Sequence, residues 1–94
     1  MSYKLVDGIK QNKLHPDTFE IPTKKEIGEV KLGQYVKLGF IEEGSPPERM
    51  WVMVDSIKGD KFRGFLNNNP FIISSIKCGD VVVFESKHIL SIFE

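Results

Sequence analysis

Residues 49–67, "RMWVMVDSIKGDKFRGFLN", decide the fold. Two runs rich in β-branched and aromatic side chains flank Gly59-Asp60, a pair suited to a tight turn of the primed type. The stretch therefore reads as a β-hairpin. In an extended first strand, Met50, Val52 and Val54 share one face, while Arg49, Trp51 and Met53 share the other. Both faces are apolar. One can fill a core, and the other requires a cover, either residues 1–30 of this chain or another molecule. Trp and Arg are enriched at the energetic centres of interfaces. Arg49, Trp51, Met53 and neighbouring Phe65 are thus the candidate partner-binding residues, and the competing reading makes the whole strand core.

Working outward, "GQYVKLGFIEE" (33–43) also alternates with period two. Val36, Leu38 and Phe40 fall on one face, and Tyr35, Lys37 and Ile41 on the other, as in a half-buried strand. "EEGSPPE" between the two strands is a loop, since adjacent prolines cannot pair in a ladder. Beyond the hairpin, "NNNP" is turn chemistry, with Asn67, Asn68 and Asn69 tolerant of turn conformations. "FIISSIK" then reads as a short strand, "CGD" as a turn and "VVVFES" as another strand. "KHILSIFE" either continues it or pairs with another edge. Upstream, Thr23 and Glu26 have the spacing of a capping box, which predicts a short helix ended by Gly33. Residues 1–20 are weakly patterned: Leu5, Val6, Ile9 and Leu14 could line a helix that Gly8 weakens, and Pro16 stops it.

This organisation predicts a mainly β domain bordering on α+β. It is a small SH3-like barrel or curled antiparallel sheet of about five strands. One domain spans 1–94, made of an N-terminal arm (1–20), a short helical segment (21–33) and a β domain (34–94). An apolar fraction of 40% beside 28% charged residues is ordinary for a globular chain. The thirteen basic and thirteen acidic residues cancel, and residues 1–30 alone carry five of each. No basic arm exists for a phosphate backbone, which disfavours nucleic acid as a partner. Cys78 is the only cysteine, so one chain has neither an internal disulfide nor a multi-thiolate zinc site. With no signal-like or membrane-spanning run, the expectation is a soluble cytoplasmic protein.

From about Leu14 to Ile89 the sequence resembles a bacterial family of small cytosolic proteins of unknown function. The resemblance is carried, in order, by "HPDTFEIP", "GQYVKLGF", "ERMWVMV", "GFLNNNP" and "CGDVVVFESKHI". It implies no established activity. Similar proteins have been proposed as immunity proteins of bacterial toxin systems, which would make a toxin the partner. Two departures stand out. Asn67, Asn68 and Asn69 replace the acidic residues that members often carry there, which weakens any shared carboxylate or metal chemistry at that loop. "LGF" with Gly39 stands where "LIF" is common.

Other candidates are thinner. His88 follows Glu85 by three residues, and Asp80 lies in the preceding turn, the beginning of a base oriented by a carboxylate. Cys78, Ser74, Ser75 and Ser86 are near in sequence, yet none sits in a nucleophile motif. A metal site using His15 and His88 would need both ends of the domain to meet. Phe62, Arg63 and Phe65 could form a platform for single-stranded nucleic acid. The expectation is therefore a non-catalytic module that binds a protein partner, as monomer or homodimer, with no cofactor, metal or membrane. A nucleic-acid-binding barrel and a small hydrolase using His88 are the alternatives.

Overall fold

A computed structural model describes residues 2–93. The expected arm begins at Met1 and the expected final segment ends at Glu94, and both of these residues lie outside the described ones. The elements, in order, are β1 (Tyr3–Leu5), α1 (Gly8–Leu14), α2 (Lys24–Gly28), β2 (Tyr35–Glu42), β3 (Glu48–Lys58), β4 (Lys61–Leu66), β5 (Val81–Glu85), a 3₁₀ turn (Ser86–His88) and β6 (Ser91–Ile92). The six strands form one antiparallel, nearly closed, barrel-like sheet in the order β1-β2-β3-β4-β5, with β6 also on β2.

The alternation read from sequence sets the inside of this sheet. Val36, Leu38, Phe40, Val52, Val54 and Val82 are almost wholly buried, and Phe62 stacks on Phe84 at 5.3 Å between centroids. Each such side chain contributes about 1.5–3 kcal/mol on leaving water. The β3–β4 hairpin turns at Gly59-Asp60 as expected. Gly59 has φ +59° and Asp60 no positive φ, the pattern of a II′ turn. Further along, Val54 pairs with Gly64 but Ser56 with Arg63, so Asp55 is the extra residue of a β-bulge. The strands press together there. A Cβ on Gly64 would collide with the Met53 carbonyl oxygen and lie 2.7 Å from Val52 Cγ1.

Both flanking segments close the other edge, that of β2. β1 pairs with Phe40–Glu42, while β6 pairs with Val36 and Lys37. Between them Val6 donates its N–H to Gly39 O, and Leu90 donates to Lys37 O, both at 2.9 Å. Residues 2–20 are thus a strand followed by a helix whose N-cap is Asp7, with Gly8 at the first helical position. The capping box of Thr23 and Glu26 is present at α2, but the helix ends at Gly28 and not at Gly33 as expected.

A further expectation is corrected in the segment after β4. "FIISSIK" is not a strand but an irregular segment. Its backbone N–H groups go to two carboxylates. Glu48 accepts those of Phe71, Ile72 and Ile73 at 2.7–3.1 Å, and Glu42 accepts those of Ser74 and Ser75. Five consecutive donors satisfied by side chains leave no ladder to form. Ile73 and Ile76 fold beneath the segment into the core, whereas Phe71 is 94% exposed.

Candidate functional site

The outer face of the sheet gathers the predicted partner-binding residues. Register places Tyr35 opposite Met53, Met53 opposite Phe65, and Phe65 opposite Val81, making one apolar row across four strands. Trp51 lies beside this row, opposite Lys37. The indole stands edge-on to Phe93 at 5.6 Å, and Phe93 in turn is edge-on to Tyr35 at 6.4 Å. Lys37 Nζ rests 4.6 Å from the indole centroid. Trp51, Met53 and Phe65 are half-buried, while Val81, Val83 and Phe93 are exposed. Tyr35, Trp51, Asn67 and Phe93 enclose a shallow hollow of about 260 Å³.

Phe93 and the Lys37 side chain lie against the Trp51 indole and cover part of it from within the chain. The N-terminal arm reaches Arg49, whose guanidinium lies 5.0 Å over the Phe19 ring. Arg49 is exposed and sits at the border of the face, apart from the Met53–Phe65 row. Sequence reading missed Val81 and Phe93 as members of this face. The signal for Val81 was the alternation of "VVVFE", which becomes informative only once its register on β4 is known.

Charges around the face divide into paired and unpaired. Arg63 holds Asp55 through two hydrogen bonds of 2.9 and 3.0 Å across the bulge, and its hydrogen bond and charge lower the Asp55 carboxyl. Lys61 holds Glu85 at 2.7 Å. Lys37 and Arg49 have no carboxylate within ion-pair distance among the described residues. Asn68 supplies a further contact, since its side-chain oxygen accepts the Trp51 N–H where β4 ends. The Asn run thus closes the ladder as turn chemistry beside the face.

The other candidates do not assemble. Phe62 is buried against Phe84 and Arg63 is engaged with Asp55, so the platform imagined for Phe62, Arg63 and Phe65 is divided between two faces. His88 is half-buried, and its Nδ1 accepts the Glu85 backbone N–H at 2.9 Å. Burial, then the neighbouring Lys87 charge, push the imidazole pKa down. The Glu85 carboxylate that would orient it is bound to Lys61 and lies near Lys87. Asp80 accepts the Lys77 N–H within its turn, and Cys78 is an exposed free thiol. Among the described residues, no group of three His, Cys, Asp or Glu side chains is placed to hold a metal ion. No helix among them is long and apolar enough to cross a membrane.

The fold and this face define a small antiparallel β domain with an apolar outer row and a loop held by two carboxylates. A family model described as "Uncharacterized protein conserved in bacteria (DUF2314)" matches residues 12–91, and the chain belongs to that family. Comparison with curated proteins and with solved structures gave no match.

Proposed function

We propose that this protein is a non-catalytic, cytoplasmic interaction module whose outer sheet face binds a protein partner through Trp51, Met53 and Phe65, with Arg49 at its border. The observation that carries the reading is the row Tyr35–Met53–Phe65–Val81, continuous over four strands and flanked by Trp51 and Phe93. Contiguous apolar surface of this kind marks binding sites more often than scattered single residues do. Lys37 beside Trp51 and Arg49 at the border of the face, neither with an ion-pair partner among the described residues, ask for carboxylates in return. The fitting partner therefore has an apolar centre and an acidic rim. A strand path β6-β2-β3-β4-β5 with a 3₁₀ turn before the last strand supports an SH3-like reading of the barrel. A toxin is the partner class that the immunity analogy suggests.

Affinity capture from native lysate at low salt tests this, with Trp51→Ala and Met53→Glu beside the wild type. Proteins held by the wild type and lost with both variants, and released by added salt, are the expected result. Recovery of the same proteins by all three removes this face from the interface.

A further inference from the structure

Among the described residues no strand pairs with the outer edge of β5, and the backbone of this edge defines what fits it. Leu66 donates its N–H to Asp80 O, and Asn67 donates to Trp51 O. Even-numbered residues of β4 therefore bond toward β5 and odd-numbered ones toward β3, as an antiparallel ladder alternates. In the register Gly64 to Val82 and Phe62 to Phe84, Val82 and Phe84 bond back to β4. The N–H and C=O groups of Val81, Val83 and Glu85 then point off the sheet. Glu85 bears this out, because its N–H is taken by His88 Nδ1. At the other end Gly79 turns its N–H back to Leu66 O. The open stretch is Val81–Val83, and the two outer side chains are 52% and 66% exposed. Proline, lysine and bulges, the common protections of an edge, are missing from it.

We propose that this edge pairs with the same edge of a second copy, about a two-fold axis midway between the two Val82 residues, to form a homodimer. Antiparallel pairing in that register sets Val81 of each chain opposite Val83 of the other. All the outward N–H and C=O groups of both valines are then satisfied. A second copy fits better than a foreign strand for a stated reason. Both ends of the open stretch are closed within the chain, at Glu85 by His88 and at Gly79 by the Leu66 carbonyl. A continuous foreign strand would leave its own groups unpaired opposite those closed positions, whereas a second copy brings the same closures. Val-Val-Val also reads identically in both directions. The axis is perpendicular to the sheet, so both outer faces stay on one side. Val83 of one copy then extends the Tyr35–Met53–Phe65–Val81 row of the other. The contact is small, which sets a reversible dimer rather than an obligate one.

Sedimentation equilibrium and amide exchange of the full chain, over a range of concentrations, test the pairing. Val83→Pro removes an outward N–H and no bond of the β4–β5 ladder, a position where an edge tolerates proline. Val81→Glu places two carboxylates across the interface and serves if the proline variant misfolds. The wild type is expected to dimerise as concentration rises, with protection growing at the Val81 and Val83 amides, and either variant to weaken association at least about tenfold. Trp51→Ala, off this edge, leaves dimerisation unchanged, so failure of the partner-binding reading is distinguishable. A wild type that stays monomeric to about 1 mM, variants that dimerise equally well, or protection growing at other amides would each overturn the proposal.

Discussion

Glu48 shows how much one side chain can organise. It stands at the start of β3, just past the proline loop, yet its carboxylate accepts three consecutive N–H groups from Phe71, Ile72 and Ile73. Burial pushes this carboxyl up, and the three donors more than offset it, so it titrates below its ordinary value of 4.5. Glu42 is lowered as well, first by the hydroxyl of Ser75 beside it and then by the N–H groups of Ser74 and Ser75, against an opposing effect of burial. That hydroxyl oxygen is buried and meets no partner in good hydrogen-bond geometry here, so the N–H donors are the firmer part of the account. For both carboxyls the folded chain binds fewer protons than the unfolded one near pH 4. Their contribution is fully present above about pH 4.5 and is lost as pH falls through the lowered folded values. Acid titration followed by amide exchange should therefore free Phe71–Ser75 before the β3–β4 ladder. Simultaneous loss of both would count against the carboxylates as the hold on this segment. At neutral pH, Glu48→Ala should lower stability by about 1–3 kcal/mol in a urea melt, the scale of hydrogen bonds to a charged acceptor.

At the scale of elements, the hairpin holds its register through Gly64 and the bulge beside it. A methyl group at residue 64 would strike the carbonyl of Met53 and the side chain of Val52. Neither can withdraw, because Val52 is buried and the Met53 backbone belongs to β3, paired on both sides. Gly64→Ala should cost about 3 kcal/mol or more, through the overpacking that cores resist, and a urea midpoint within error of the wild type would refute the argument. This hairpin was also the most legible part of the sequence, since alternation and turn chemistry agree on both sides of Gly59-Asp60. The Thr23–Glu26 capping box was legible for a similar reason: partners three residues apart need no tertiary knowledge. "FIISSIK" was not legible. Its local propensity favours a strand, but the acceptors of its N–H groups are carboxylates 23 to 33 residues earlier in the chain, a distance no local pattern reports. The candidate face was half legible in the same sense. Alternation placed Arg49, Trp51 and Met53 together, whereas Val81 and Phe93 joined them only through register and through the return of the chain's end to β2.

For the molecule as a whole, that return matters most. β2 is central although its own neighbour on one side is two short segments laid end to end, one from each end of the described chain. Gly39 marks where they meet. A Cβ there would lie 2.8 Å from Val6 Cγ2 and 3.2 Å from Leu90 Cδ1, which explains why this chain carries glycine at the position. Tyr3 packs on Phe40 at 5.1 Å, and burial, then the Asp80 carboxylate, push its hydroxyl pKa up. β1 therefore covers the core at Phe40. The meander β2–β5 makes its own ladders without this segment. Deleting residues 2–7 should therefore leave a β-type far-UV spectrum, while exposing Phe40 and a free β2 edge. The expected signs are a lower urea midpoint, binding of an apolar-surface dye, and aggregation that rises with concentration. An unchanged midpoint with no dye binding would mean that β1 decorates the barrel rather than closing it. Complete loss of the β spectrum would mean that the sheet forms only when both ends of the described chain are on β2.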